Sequence, residues 1–270
     1  MSKSQSSFLM AKMQGAGNSF LIASDKIEKT FQAIMAKKLC DVNFGIGADG
    51  MVFLNLEKEN DFKWDFYNSD GSQAEFCGNA ARCVALYISE IFPKLTKIEI
   101  KTLAGLIKCE LKSQIVVQIE MPKIEWYTKE KETPFWPTPV AWLNTGVPHI
   151  VIELSSSDKL KKNKLEAAKI RNWEQLGPLG SNVTFLCVHS SNLISAITYE
   201  RGVEDFTLAC GTGAVAAAIF IMEKKSTSEC RVQMPGGNLD ITRVNGKVFM
   251  SGEAHKIAEI NINRENYEKS

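Results

Sequence analysis

Stretches in which apolar and polar residues alternate at every second position recur along the chain. Asp61-Phe62-Lys63-Trp64-Asp65-Phe66 and Lys97-Ile98-Glu99-Ile100-Lys101 follow this rule, and residues 114–120 are rich in Val and Ile. A period of two predicts strands with one buried face. Helical periodicity is rarer. From Cys77, apolar residues recur at Ala81, Val84, Ala85, Ile88 and Ile91 and the pattern stops before Pro93, which predicts a helix with one buried stripe. A second helix is predicted from Thr212 to about Met222; it is apolar nearly all round, so other structure must enclose it, and strands curling about it would do so. Residues 155–164 are polar and basic and read as a solvated turn and helix start. Residues 125–139 hold Trp126, Trp136 and prolines 134, 137 and 139, which interrupt the strand periodicity and are expected to form a domain junction.

The chain also repeats itself. Gly15 and Asn18 have counterparts in Gly146 and His149, and Gly47-Ala48-Asp49 in Gly180-Ser181-Asn182. Cys77-Gly78-Asn79-Ala80-Ala81 is answered by Cys210-Gly211-Thr212-Gly213-Ala214, and Gly105 by Gly237. These pairs keep one order and an offset of 131 to 133 residues. A near-constant offset over most of the chain predicts two copies of one domain. The expected boundaries are 1–123 for the first half and 124–255 for the second.

Composition narrows the functions. With 270 residues, 44% hydrophobic and 23% charged, the chain can bury an ordinary core, and its length suits two domains. A formal net charge of +1 provides no global field to recruit nucleic acid or an anionic membrane, so a small-molecule partner is expected. The N-terminal apolar stretch is shorter than a signal-peptide core and no run approaches a membrane span, so the expected location is the cytoplasm. Cys40, Cys77, Cys83, Cys109, Cys187, Cys210 and Cys230 are odd in number and form no C-x-x-C pair, which argues against a disulfide framework and against a metal site.

Two cysteines stand in a special setting. Cys77 and Cys210 each precede glycine where a strand-like segment gives way to a helix. A thiol there lies near unsatisfied backbone N–H groups and the positive end of the helix dipole, which favours thiolate. The same N–H groups can hold a carboxylate. If the two halves face each other across a cleft, one thiolate can remove a proton from one face of a carbon while the other thiol protonates the opposite face, inverting the centre.

At these residues the chain resembles the diaminopimelate epimerase family of pyridoxal-independent amino acid epimerases. The likeness runs through Gly15-Ala16-Gly17-Asn18-Ser19-Phe20, Phe44-Gly45-Ile46-Gly47-Ala48-Asp49-Gly50, Asn68-Ser69-Asp70-Gly71-Ser72 and Cys77-Gly78-Asn79-Ala80-Ala81-Arg82-Cys83. It continues through Gly180-Ser181-Asn182-Val183, Tyr199-Glu200-Arg201-Gly202 and Thr207-Leu208-Ala209-Cys210-Gly211-Thr212-Gly213. The resemblance implies an α+β fold of two pseudo-symmetric domains, each a β-barrel-like sheet wrapped round a central helix, with the active site in the cleft between them. A C-terminal strand at about 256–270 would return to the first half. It also implies a cofactor-free homodimer that interconverts LL- and meso-diaminopimelate in lysine and peptidoglycan precursor synthesis. By position, Cys77 and Cys210 resemble the acid and base pair, with His149 beside Cys77 and Glu200 completing the catalytic set. Gly78, Asn79, Gly211 and Thr212 would cradle the carboxylate at the reacting centre. Asn18, Asn68, Asn182, Glu200 and Arg201 would line the substrate site, Arg201 as a carboxylate fork and Glu200 as an ammonium partner.

Two positions depart from the family pattern: Gly50 where many members have Gln, and Val147 where many have Asn. They keep open a related racemase of glutamate, histidine or hydroxyproline type, and a binding protein that kept the fold without the chemistry. Gly45-x-Gly47-x-x-Gly50 matches the dinucleotide fingerprint, but Met51-Val52-Phe53-Leu54 reads as a strand where that motif needs a helix. Cys83 is expected in the core, and His189 and His255 carry no partner pattern.

Overall fold

The structure is a computed structural model that describes residues 7–56 and 61–263. The chain divides into two compact units, residues 1–119 with 253–270, and residues 120–252. The first contains β1 (Ser7–Gly15), β2 (Asn18–Ala23), α1 (Lys29–Cys40), β3 (Gly50–Asn55), β4 (Phe62–Asn68), β5 (Gln73–Ala74), α2 (Gly78–Ile91), β6 (Lys97–Thr102), β7 (Gly105–Leu111) and most of β8 (Val116–Glu120). The second contains β9 (Glu125–Thr133), β10 (Trp136–Asn144), β11 (Pro148–Leu154), α3 (Lys164–Arg171), β12 (Asn182–Ser190), β13 (Leu193–Glu200), β14 (Asp205–Phe206), α4 (Gly211–Lys225), β15 (Glu229–Met234), β16 (Gly237–Val244) and most of β17 (Lys247–Glu253). The last strand, β18 (His255–Asn263), pairs antiparallel with β1, from Ser7 opposite Asn263 to Gln14 opposite His255. Residues 264–270 of the expected returning strand lie outside the described residues.

The two units share one strand-pairing scheme. In the first, β18, β1 and β2 are antiparallel, β2 runs parallel to β3, β3 antiparallel to β4, β4 parallel to β6, and β6 to β8 antiparallel. In the second, β9, β10 and β11 take the places of β18, β1 and β2. β11 is then parallel to β12, β12 antiparallel to β13, β13 parallel to β15, and β15 to β17 antiparallel. The same order of crossovers in both units is the structural form of the repeat.

In each unit the alternation of side chains sends one parity to an outer helix and the other to an inner one. Leu21, Ala23, Met51 and Phe53 pack with Met35, Ala36 and Leu39 of α1, while α2 lies against β1, β2, β7 and β18. Ile150, Ile152, Val183, Phe185, Ile197 and Tyr199 pack with Ala167 and Ile170 of α3, while α4 lies against β10, β11, β12, β13, β15 and β16. Val215, Ile219, Ile221 and Met222 of α4 are fully or almost fully buried, and burying each such side chain stabilises by about 1.5–3 kcal/mol.

Residues 125–139 depart from the sequence expectation. They form β9 and the start of β10, a paired hairpin rather than an interruption of the strands. Pro134 sits in the turn; Pro137 and Pro139 fall where the β9–β10 register shifts and before the β10–β11 pairing begins at Ala141. Proline is tolerated there because no ladder hydrogen bond needs its missing N–H.

Candidate active site

Cys77 is the N-cap of α2, in extended conformation, and its sulfur accepts the Ala80 N–H at 3.5 Å. Small residues follow it, so the first turn of α2 packs deep in the unit with Asn79 almost wholly buried. Asn79 Nδ2 donates to Asn18 Oδ1 at 2.6 Å, and the fully buried Arg82 donates to Asn79 Oδ1 at 2.8 Å. Asn18 is delivered by the β1–β2 hairpin, whose turn residues Ala16 and Gly17 both have positive φ. Asp49 fixes the next residue, accepting the Ser19 N–H at 2.7 Å. Cys77, Gly78, Asn79 and Asn18 thus form one connected group. Asn68 ends β4 and opens the turn to Ser72, to which its side chain donates at 3.0 Å.

Gly50 pairs with Asn68 at the start of β3. A Cβ there would lie 2.6 Å from Phe66 Cε2 and 2.8 Å from the Tyr67 carbonyl oxygen, so the Phe66 ring occupies the space a side chain would need. Gly45 and Gly47 belong to the loop that closes α1, where Ile46 and Gly47 N–H groups return to the Leu39 carbonyl. With β3 following as a strand, this loop matches the rejection of the dinucleotide motif.

The second unit gathers more of the expected residues. Cys210 is the N-cap of α4, nearly buried, with Sγ 3.4 Å from Thr212 Oγ1. Burial, then the negative charge of Glu200 beside it, push its thiol well above the ordinary value; the Gly213 N–H and the Thr212 hydroxyl, where it donates, act the other way. Glu200 at the end of β13 accepts the Thr207 hydroxyl. The Arg201 backbone N–H donates to Asn182 Oδ1 at 2.8 Å. His149 is fully buried, its Nδ1 3.0 Å from Thr184 Oγ1 and its Nε2 2.9 Å from Thr212 Oγ1. Burial, then the Arg201 charge, lower its pKa to about 3, so the ring is neutral at physiological pH.

Arg82, Asp49, Thr184 and Thr198 are absent from the sequence-derived set. Arg82 was legible as an i, i+3 neighbour of Asn79 on one helix; the threonines carry no motif. Cys83 and Cys109 are core thiols, each pushed up to about 12 by burial. His189 meets Ser195 and His255 meets Glu253, both at the surface.

Neither α2 nor α4 has an acidic residue in its first turn. With no side-chain anion competing, the first-turn N–H groups that the cap sulfur does not take can receive an external anion. Among the described residues, no helix is long and apolar enough to cross a membrane.

The family model for diaminopimelate epimerase matches residues 10–126 and again 141–257. Diaminopimelate epimerase of Aquifex aeolicus (strain VF5) is 36% identical, covering 94% of this chain and 97% of the relative. The enzyme of the same name from Flavobacterium psychrophilum is 34% identical, covering 93% and 98%. Among solved structures, a hydroxyproline epimerase from Agrobacterium vitis with bound trans-4-hydroxy-L-proline is similar with a TM-score of 0.67 at 14% identity, covering 96% of this chain and 91% of that one.

Proposed function

The chain belongs to the diaminopimelate epimerase family, and from that premise we propose that Cys77 and Cys210 are the acid and base that epimerise LL-2,6-diaminopimelate to the meso form. The carrying observation is that each unit sets a cysteine as the extended N-cap of a buried helix whose first turn holds no acid of its own. In the forward step the Cα–H bond breaks, its proton goes to the Cys77 sulfur, and the electron pair passes into the α-carboxylate as an enolate-like dianion. Cys210, kept protonated by burial and by Glu200, gives its proton to the opposite face of the carbon. One proton leaves and one arrives, so no oxidant or reductant is consumed.

The dianion is the energetic problem. First-turn N–H groups at Gly78, Asn79, Gly211 and Thr212 would receive the carboxylate, and a preorganised donor of this kind is worth about 3 kcal/mol. Asn18, Asn68, Asn182, Glu200 and Arg201 would hold the rest of the substrate. The same reading carries a homodimer acting in the cytoplasm without a cofactor, in the supply of lysine and peptidoglycan precursors.

The curated relatives favour diaminopimelate over another amino acid, because they bear that name over nearly the whole chain. The hydroxyproline epimerase likeness, at 14% identity, speaks for the fold alone. Incubation in deuterated water with LL-diaminopimelate, glutamate, histidine or 4-hydroxyproline tests the choice: α-deuterium should enter diaminopimelate only. Cys77→Ala and Cys210→Ala should each lower epimerisation at least about a thousandfold. Turnover near the wild-type rate in either variant would refute the pairing.

A further inference from the structure

A connected polar track crosses the inner, α4-facing side of the second unit. Asn182 and Thr184 on β12, Thr198 on β13 and His149 on β11 are buried together, Thr184, Thr198 and His149 completely. Thr198 Oγ1 lies 3.0 Å from Thr184 Oγ1, Thr184 Oγ1 3.0 Å from His149 Nδ1, His149 Nε2 2.9 Å from Thr212 Oγ1, and Thr212 Oγ1 3.4 Å from Cys210 Sγ. Helix α4 is seated on this track through Gly213, where a methyl group would overlap Thr198 Oγ1 and come within 3.0 Å of Thr184 Oγ1.

Asn182 Oδ1 accepts the Arg201 backbone N–H, which only an amide oxygen can do. Its NH2 group is therefore the end that faces the Pro148 carbonyl and, at 3.5 Å, His149 Nε2. A hydrogen on Nε2 would face that amide N–H, so the lone pair is assigned to Nε2, where the Thr212 hydroxyl at 2.9 Å is the nearer donor, and in a neutral imidazole the hydrogen then sits on Nδ1. Nδ1–H then points at Thr184 Oγ1, which leaves the Thr184 hydroxyl hydrogen free to go to Thr198 Oγ1, 3.0 Å away.

We propose that Thr184 is a positioning residue for the reaction assigned above: backed by Thr198, it holds His149 in the Nδ1-protonated form, so that Nε2 takes the Thr212 hydroxyl hydrogen and turns the Thr212 oxygen lone pairs to Cys210. The proposal rests on Cys210 being one of the two reacting thiols. Its consequence is twofold. The Cys210 S–H has an acceptor that fixes its rotamer before proton delivery. Once the proton has left, Thr212 has no hydrogen to offer the sulfur, so the thiolate keeps the Gly213 N–H but loses the hydroxyl donor and stays more basic for the return reaction.

The test combines a spectroscopic and a kinetic readout. In the wild-type protein, 15N–1H correlation of the His149 imidazole should show Nδ1 protonated. Thr184→Val removes the acceptor while keeping shape; His149 should shift to Nε2–H, Thr212 should then donate to Cys210, and kcat should fall about tenfold or more with KM for LL-diaminopimelate changed less than about threefold. Thr184→Ser should restore both the tautomer and kcat to within about twofold. An Nε2-protonated His149 in the wild type, or a folded Thr184→Val protein with wild-type tautomer and kcat, would overturn the relay. The wild-type spectrum decides the matter even where the valine variant fails to fold. Full activity of Cys210→Ala overturns the thiol assignment instead, whatever the tautomer, so the two failures are told apart.

Discussion

A buried imidazole that stays neutral links folding to pH. His149 has a pKa of about 3 in the folded protein against an ordinary 6.5, so between these values the unfolded chain binds the extra proton. Stability from this residue is then fully present above about pH 6.5 and is lost as pH falls toward 3, at up to about 1.4 kcal/mol per pH unit. Replacing His149 with Asn should remove about one proton's worth of that slope between pH 6 and pH 4 in chemical denaturation; an unchanged slope would contradict a neutral buried ring. The residue was visible in the sequence as the counterpart of Asn18 and through the family resemblance. Thr184 and Thr198 behind it were not, because they meet through cross-strand register, a non-local fact that no local motif encodes. Cys77 and Cys210 were legible for the opposite reason: an N-cap is defined by its immediate neighbours, and Cys-Gly before an apolar helix states it locally.

At the level of elements, the two inner helices begin where the cysteines predicted, whereas α1 was not read from the sequence and α3 only as a helix start near Lys164. The hairpin of β9 and β10 did not follow, and its burial explains why. In β9 only Thr133 is buried and several positions are exposed, so the alternation that marks a half-buried strand is missing, and the prolines of β10 then read as a break. Helix α4 carries a second element-scale consequence. A glycine inside a helix ordinarily costs up to about 1 kcal/mol relative to alanine, so Gly213→Ala should stabilise if propensity ruled. The space above Gly213 is filled by the two threonine hydroxyls and by Cys210 Cβ at 3.3 Å, and overpacking of a closed site costs about 1–3 kcal/mol. The expected outcome is therefore a lower urea midpoint for Gly213→Ala. A rise would mean that the first turn of α4 is free to move off the strands.

Across the whole molecule, the repeat is regular in pairing but offset in chain order. The second unit draws its outermost strand, β9, from just before β10, joined by a short turn between Thr133 and Trp136. The first unit draws the equivalent strand, β18, from the far end of the chain, yet sets it on β1 in the same antiparallel sense. Ile262 of β18 is buried in one cluster with Phe8, Met10 and Leu21, and Lys256 pairs with Glu90 of α2 at 2.6 Å. Residues 7–119 alone therefore lack a strand that their own core uses, and β1 is left with an unpaired edge, a template for association. Because Asn263 stands opposite Ser7, a short Asn-Gly turn can join them as a hairpin. A fragment made of residues 255–263, that turn and residues 7–119 should give a cooperative thermal transition and run as a single species on size exclusion, whereas 7–119 without the strand should melt lower or aggregate. Equal behaviour of the two fragments would show that β18 is dispensable to the first unit. The outcome expected here makes that strand the missing first member of an otherwise contiguous repeat.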